Sequence, residues 1–143
     1  MRRATQTGLL AFEAHVREVC LPVIAHELCH ETGGKHTCDK RLDRADLKRE
    51  FPSVDYSFLS SESDPLWGDG LIRESGIEMS KRCADLMLWV SSRKERQLVV
   101  AAHSGFLVTL FNAVLDIENP DDSTWFGTGE MRTMVLDFSD GSS

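Results

Sequence analysis

The sequence lacks any long uncharged apolar run, and its N-terminus lacks the apolar stretch of a signal peptide. A membrane-spanning helix needs about 20 mostly apolar residues, so neither a membrane anchor nor a secretory leader is predicted. Cysteine is also scarce, and the four present are too unevenly spaced for the disulfide framework of a small secreted domain. We therefore expect a soluble, cytoplasmic protein with reduced thiols and no membrane partner.

The chain has no excess of basic residues either. Its 16 lysines and arginines are outnumbered by 23 aspartates and glutamates, which gives a net charge of −7 at pH 7. That charge disfavours contact with a phosphate backbone, so no nucleic-acid partner is expected. No repeat or low-complexity segment divides the 143 residues, and a hydrophobic content of 41% suffices for a core. The sequence predicts a single domain over residues 1–143.

Apolar periodicity predicts helices and strands in alternation. The segment 75–93 is the clearest helix, because Ser75 and Glu78 form a capping-box pattern and apolar residues recur at helical spacing from Ile77 to Val90. Further helices are predicted over residues 4–19, 45–51 and 106–115, and strands over residues 20–25, 97–102 and 131–138. This alternation favours an α/β fold with a mostly parallel sheet flanked by helices.

Residues 33–70 differ from the rest of the chain in composition. They are polar and rich in serine, aspartate and proline, with one short helical stretch and a few scattered apolar side chains. We interpret this segment as a cap-like insertion into the domain.

A histidine lies between two apolar runs in the last third of the chain. Residues 97–102 predict a strand, His103 follows it, and Ser104 and Gly105 precede the next predicted helix. The first N–H groups of a helix lack intrahelical partners and its dipole favours negative charge, so this junction suits an anion such as phosphate. The alternative is that His103 only forms a hydrogen bond at the end of a strand.

Three segments carry a family resemblance. Residues 1–7 read Met-Arg-Arg-Ala-Thr-Gln-Thr, residues 100–105 read Val-Ala-Ala-His-Ser-Gly, and residues 27–41 begin Glu-Leu-Cys-His-Glu and end Cys-Asp-Lys-Arg. Together they resemble the histidine phosphatase superfamily, which includes the phosphoglycerate mutases, and the third is similar to a eukaryotic, phosphoglycerate-mutase-like branch. The resemblance covers essentially the whole chain, but only the C-terminal part of the family domain. It implies a phosphoglycerate-mutase-like fold whose N-terminal strands are missing here.

The resemblance also implies roles for individual residues. Arg3 matches the family's second phosphate-binding arginine, while His103 would bind the phosphate and carry charge in the transition state. The backbone N–H of Ser104 would add a further donor to the phosphate. Glu31 is the expected proton donor to the leaving oxygen, and Glu27 is the alternative. The chemistry requires no cofactor and no metal.

The family's nucleophile is a histidine in an Arg-His-Gly motif, and no Arg-His-Gly occurs in this sequence. The chain is therefore interpreted as a fragment or as a decayed enzyme. In the complete domain we expect a phosphomonoester to lose its phosphoryl group through a phosphohistidine intermediate, by hydrolysis or by transfer. The substrate would be a small phosphorylated metabolite or a phosphoprotein, and this chain alone should be inactive.

Two alternatives come from different functional classes. One is a noncatalytic relative, a pseudoenzyme that binds phosphate or acts through a surface. The other is a zinc-binding module, since potential ligands crowd into one short segment, although their spacing is not that of known zinc clips. These potential ligands are His26, Cys29, His30, His36, Cys38 and Asp39.

Two charged motifs are assigned structural roles. The first motif is Arg73-Glu74-Ser75 followed by Glu78 and Arg82. Helix capping and ion pairs between residues four apart explain its spacing. In the second, Glu130-Met131-Arg132, we expect side chains that support the last strand. The alternative for the second motif is that it lines the pocket.

Overall fold

The computed structural model describes residues 2–138. Helices alternate with strands in its first half, and two longer helices dominate its second half. The helices are α1 (Arg2–Ala11), α2 (Glu13–Glu18), α3 (Arg44–Glu50), α4 (Gly76–Ser91) and α5 (Ser104–Ala113), and the strands are β1 (Ile24–His26) and β2 (Asp55–Phe58). Single 3₁₀ turns span Glu27–Cys29, Thr37–Asp39 and Pro120–Ser123. No helix in residues 2–138 is long and apolar enough to cross a membrane.

The sheet confirms the α/β class with a parallel pairing. Strands β1 and β2 run in the same direction, with Ile24 opposite Asp55 and His26 opposite Phe58. Strand β1 begins four residues later than predicted, since Pro22 cannot donate to a ladder and Cys20 adopts a positive φ of 52°. Strand β2 was not predicted, and it lies inside residues 33–70, the segment interpreted as an insertion.

The two strands predicted over residues 97–102 and 131–138 are not formed within the described chain. A strand needs a neighbour to pair its backbone groups, and neither segment is paired with β1 or β2. The apolar side chains of the first segment are accordingly exposed, by 42% at Leu98 and 55% at Val99.

The predicted N-terminal helix over residues 4–19 is present but divided. The chain leaves helical geometry at Phe12, with φ −117° and ψ 23°, so that α1 and α2 are separate helices. An ion pair between Glu13 and Arg17, four residues apart, joins successive turns of α2 at 2.8 Å.

Helix α4 packs against α5 and supplies most of the larger core. Its start is as predicted, because the Ser75 side chain accepts from the Glu78 N–H while Glu78 bonds back to the Ser75 N–H. Cys83, Leu86, Met87 and Val90 are buried as the periodicity predicted, but Ile77 at the first turn is 84% exposed. The larger core consists of Met79, Cys83, Leu86, Met87, Val90, Phe106, Leu110, Phe111 and Phe126.

A second, smaller core lies beneath the sheet. Tyr56 of β2 is its polar member, and its hydroxyl donates to the carbonyls of Leu47 and Phe51 at 2.9 and 3.2 Å. The members of this core are Ala25, Leu47, Phe51, Val54, Tyr56 and Leu59. Residues of the predicted insertion therefore help to form the body of the domain.

Substitution of Leu86 by Ala should destabilise the chain strongly, because Leu86 is 1% exposed at the interface between α4 and α5. We expect a loss of about 2–5 kcal/mol in the free energy of unfolding, from lost burial and the cavity left behind. Leu88, on the same helix, is 69% exposed, and Leu88→Ala is the matched control with an effect within about 0.5 kcal/mol. Urea unfolding followed by tryptophan fluorescence measures both, and equal losses would contradict this packing.

Candidate functional site

His103 lies immediately before α5 and is almost completely buried. It is the N-cap residue of that helix, with an extended backbone, φ −126° and ψ 151°. Its Nε2 atom is buried and has no hydrogen-bond partner among residues 2–138. Burial, helped by the positive charge of Arg3, lowers the pKa of His103 to about 3. The predicted junction of His103 with a helix start is therefore present, although the preceding strand is not.

The first turn of α5 offers backbone donors beside this histidine. The first intrahelical bond runs from the Leu107 N–H to the His103 carbonyl at 2.8 Å, so the N–H groups of residues 104–106 precede the helical ladder. Gly105 allows a close approach here, because a Cβ at this position would lie 2.9 Å from Glu31 Oε1. The Ser104 N–H thus belongs to a turn that lies against the Glu31 carboxylate.

Glu31 connects His103 with Arg3. Its Oε2 atom lies 3.7 Å from His103 Nδ1 and 3.7 Å from Arg3 Nη2. Its Oε1 atom accepts from the Thr32 N–H at 3.0 Å, which fixes the carboxylate, and the residue is only 8% exposed. The structure therefore brings together Arg3, Glu31 and His103, three residues that the sequence separates by up to 100 positions.

Arg3 reaches this cluster from α1. Its Nη1 donates to the Cys38 carbonyl at 2.9 Å and its Nη2 to Asp39 Oδ1 at 3.2 Å. Arg73 donates to the other oxygen of the Asp39 carboxylate at 3.0 Å. Burial opposes ionisation of Asp39, but the hydrogen bonds from Arg73 and Arg3 outweigh it and hold its pKa below the usual range.

Glu27, the alternative proton donor, lies elsewhere. Its Oε1 accepts from Nε of the buried Arg41 at 3.0 Å, while its Oε2 is buried without a partner in the described part of the chain. Burial raises the pKa of Glu27, and Arg41 only partly opposes this. Of the two carboxylates, Glu31 is the one in contact with Arg3 and His103.

The residues considered as zinc ligands do not form a metal centre in the described part of the chain, where no three histidine, cysteine or acidic side chains converge. Both ring nitrogens of His30 are already engaged, Nδ1 with the Glu31 carbonyl at 2.6 Å and Nε2 with Asp64 Oδ2 at 2.9 Å. Burial raises the pKa of the Cys29 thiol to about 12, which disfavours the thiolate that zinc requires.

Three residues around the site were not predicted to act there. Asp39 was considered only as a metal ligand, and Arg73 and Arg82 only as part of a helix-capping pattern. Glu78 is engaged in the capping box, so Arg82 pairs with Glu74 instead, at 2.7 Å. Their contacts join residues that lie 34 to 54 positions apart, and such contacts leave no local pattern in a sequence. The second charged motif holds a loop: Arg132 pairs with Glu130 at 2.6 Å and donates to the Asp122 carbonyl, while the strand it was expected to support is not formed in the described residues.

Curated proteins from Arabidopsis thaliana are similar to this chain. Phosphoglycerate mutase-like protein 1 is 37% identical over 121 residues, which are 82% of this chain and 43% of that protein. A second relative, named phosphoglycerate mutase-like protein, is 34% identical over 119 residues, 80% of this chain and 44% of its own length. The chain thus spans less than half the length of these relatives. No protein-family model and no solved structure matches it.

The burial of His103 should make the chain less stable in mild acid. Its pKa is about 3 in the folded chain against an ordinary value of 6.5, so below pH 6.5 the unfolded chain takes up a proton that the folded chain does not. The free energy of unfolding therefore falls as the pH falls through this range, by about 2 kcal/mol from pH 7 to pH 5 for this group.

Urea unfolding at both pH values tests this, with His103→Asn as the comparison, because asparagine does not titrate and still suits an N-cap. Between pH 7 and pH 5, the free energy of unfolding should fall by about 2 kcal/mol less in the variant than in the parent chain. Equal losses in the two proteins would contradict a buried neutral His103.

Proposed function

Since the chain belongs to the histidine phosphatase superfamily and is related to the phosphoglycerate mutase-like proteins, we propose that its cluster of Arg3, Glu31, His103 and Ser104 binds the phosphoryl group of a phosphomonoester. Glu31 and His103 are the proposed catalytic residues, and Arg3, His103 and the Ser104 N–H the proposed phosphate-binding groups. Residues 1–143 would form one N-terminally incomplete domain of this kind.

The unpartnered Nε2 of His103 is the observation that carries the proposal. A buried polar atom without a hydrogen bond costs about 1–3 kcal/mol, and a phosphate oxygen would satisfy it. The neighbouring helix start supplies N–H donors and a favourable dipole for the same anion. The guanidinium of Arg3 carries five N–H donors, and those not bonded to the Cys38 carbonyl and Asp39 can bind a phosphate oxygen.

Charge balance supports Glu31 as an acid. A phosphomonoester dianion would enter a site that holds the carboxylates of Glu31 and Asp39. Asp39 is already balanced, because Arg3 and Arg73 both donate to it. Glu31 is thus the carboxyl proposed to hold the proton that the leaving oxygen needs.

In the complete domain the reaction would run in two steps. A histidine of the family's Arg-His-Gly motif attacks phosphorus, the bond from phosphorus to the leaving oxygen breaks, and Glu31 gives its proton to that oxygen. Water or a second substrate then takes the phosphoryl group from the histidine. Because no Arg-His-Gly occurs in this sequence, we expect this chain alone to bind phosphate without turnover.

The proposed substrate class is a small phosphorylated metabolite or a phosphoprotein, handled in the cytoplasm without metal or cofactor. Residues 33–70, the proposed cap-like insertion, would contribute to selecting it, although their strand β2 also completes the sheet. No nucleic acid or membrane partner is proposed.

A second candidate is a noncatalytic phosphate-binding or interaction protein. The contacts among Arg3, Glu31 and His103 suit it, because such a protein needs the binding groups and no nucleophile. Its phosphate site would be the same cluster. The two candidates differ in whether a histidine outside this sequence completes the site.

Inorganic phosphate should bind this chain weakly, with a Kd of about 1 mM, which corresponds to about −4 kcal/mol. We expect phosphate to shift the ring nitrogen signals of His103 in NMR spectra, and His103→Ala to weaken binding about tenfold. Arg3→Lys should weaken it as well, because lysine lacks the fork.

His15→Ala is the matched control, since this histidine is exposed on α2 and should leave binding unchanged. Phosphate binding that is equally strong in His103→Ala and in the parent chain would contradict the proposal.

A further inference from the structure

We propose that Arg82, held by Glu74, is a positioning residue that fixes Glu31 in front of His103. This inference rests on the proposed function for the catalytic role of Glu31. The contacts of Arg82 are observed independently of that role. Arg82 lies on α4 and is 6% exposed, and nothing in the proposed chemistry requires it to touch a substrate.

The guanidinium of Arg82 fastens the loop that carries Glu31. Its Nη1 donates to the carbonyls of Leu28 and His30 at 2.6 and 2.7 Å, and its Nη2 lies 3.4 Å from the carbonyl of Glu31 itself. Three carbonyls within four residues therefore face a single side chain. This fixes the course of the backbone immediately before the Glu31 carboxylate.

Glu74 completes the attachment on the other side of Glu31. It forms a two-point ion pair with Arg82, with Nε–Oε1 and Nη2–Oε2 distances of 2.8 and 2.7 Å. Its Oε2 also accepts from the Gly33 N–H at 3.0 Å. The Arg82–Glu74 pair thus holds the loop both before and after Glu31.

The same arginine also contacts the helix that begins after His103. Its guanidinium lies over the Phe106 ring, 5.3 Å from the centroid, in the first turn of α5. Next to Phe106, Gly105 leaves the space that Glu31 Oε1 occupies. Arg82 therefore links the two elements whose separation sets the distance between Glu31 and His103.

Only arginine suits this position. Its five N–H donors lie in one rigid plane, which allows a two-point bond to Glu74 together with bonds to carbonyls in other directions. A lysine would keep the charge but offer three donors from a single nitrogen, so it cannot reach both sides of the loop. Arg82→Lys should therefore release the loop while leaving a cation at the site.

The test compares Arg82→Lys and Glu74→Gln with the parent chain. Glu74→Gln keeps the size of the side chain and one carbonyl acceptor, so it provides a folded variant if Arg82→Lys does not fold. Arg132→Lys is the matched control. Arg132 also pairs with a glutamate and holds loop carbonyls, those of Asp122 and Thr124, but it belongs to a different loop.

Two readouts are needed, one without a ligand and one with inorganic phosphate. Without a ligand, the NMR signals of the Glu31 carboxyl and the Gly105 amide should move in both test variants, and their crystal structures should show Glu31 farther from His103. With phosphate, the affinity should fall, because Arg82 also lies over Phe106 in the turn whose Ser104 N–H is a proposed phosphate donor. We expect a loss of about tenfold, the lower end of the loss seen when an orienting partner is removed at metal sites. Arg132→Lys should change neither readout.

Unmoved Glu31 and Gly105 signals in folded Arg82→Lys or Glu74→Gln would overturn the inference, and so would equal losses in Arg132→Lys. If the parent chain binds no phosphate, the proposed function fails, but the ligand-free readout still decides whether Arg82 positions Glu31. The two failures are therefore distinguishable.

Discussion

A buried arginine has to donate its hydrogen bonds inside the protein, and this constraint shapes the chain between the sheet and α4. Arg41 and Arg82 are 1% and 6% exposed, and the guanidinium N–H groups of both donate mainly to backbone carbonyls. Arg41 donates to the carbonyls of Leu42, Ser61, Glu62 and Ser63, and Arg82 to those of Leu28 and His30. Removing either would leave buried carbonyls without donors and a glutamate without its ion-pair partner, which costs far more than a surface ion pair contributes.

The polar loop between β1 and α3 is held in this way rather than by regular structure. Residues outside the loop bind it: Asp64 accepts from His30 and from the Arg41 N–H, and Arg3 and Arg73 both donate to Asp39. Burial works against ionisation of Asp64, yet the hydrogen bonds from His30 and the Arg41 N–H lower its pKa to about 2. Glu31 lies in this loop, and the Thr32 N–H donates to its carboxylate. An irregular segment can therefore hold a functional group in place.

Patterns in the sequence predicted those elements that depend on residues close together along the chain. The capping box at Ser75, the apolar spacing of α4 and the helix start after His103 were predicted because residues three or four apart determine them. Residues 97–102 show the limit, since an apolar run predicts a strand but a strand also requires a neighbour to pair with. The grouping of Arg3, Glu31 and His103 came from a family resemblance, while the roles of Asp39 and Arg82 depend on contacts between distant segments that no spacing reveals.

A crystal of this chain soaked with tungstate, a heavy analogue of phosphate, tests the central claim most directly. We expect one anomalous peak within hydrogen-bond distance of His103 Nε2, with Arg3 and the Ser104 N–H as further partners. A peak elsewhere on the protein, or none at this cluster while the anion binds in solution, would contradict it.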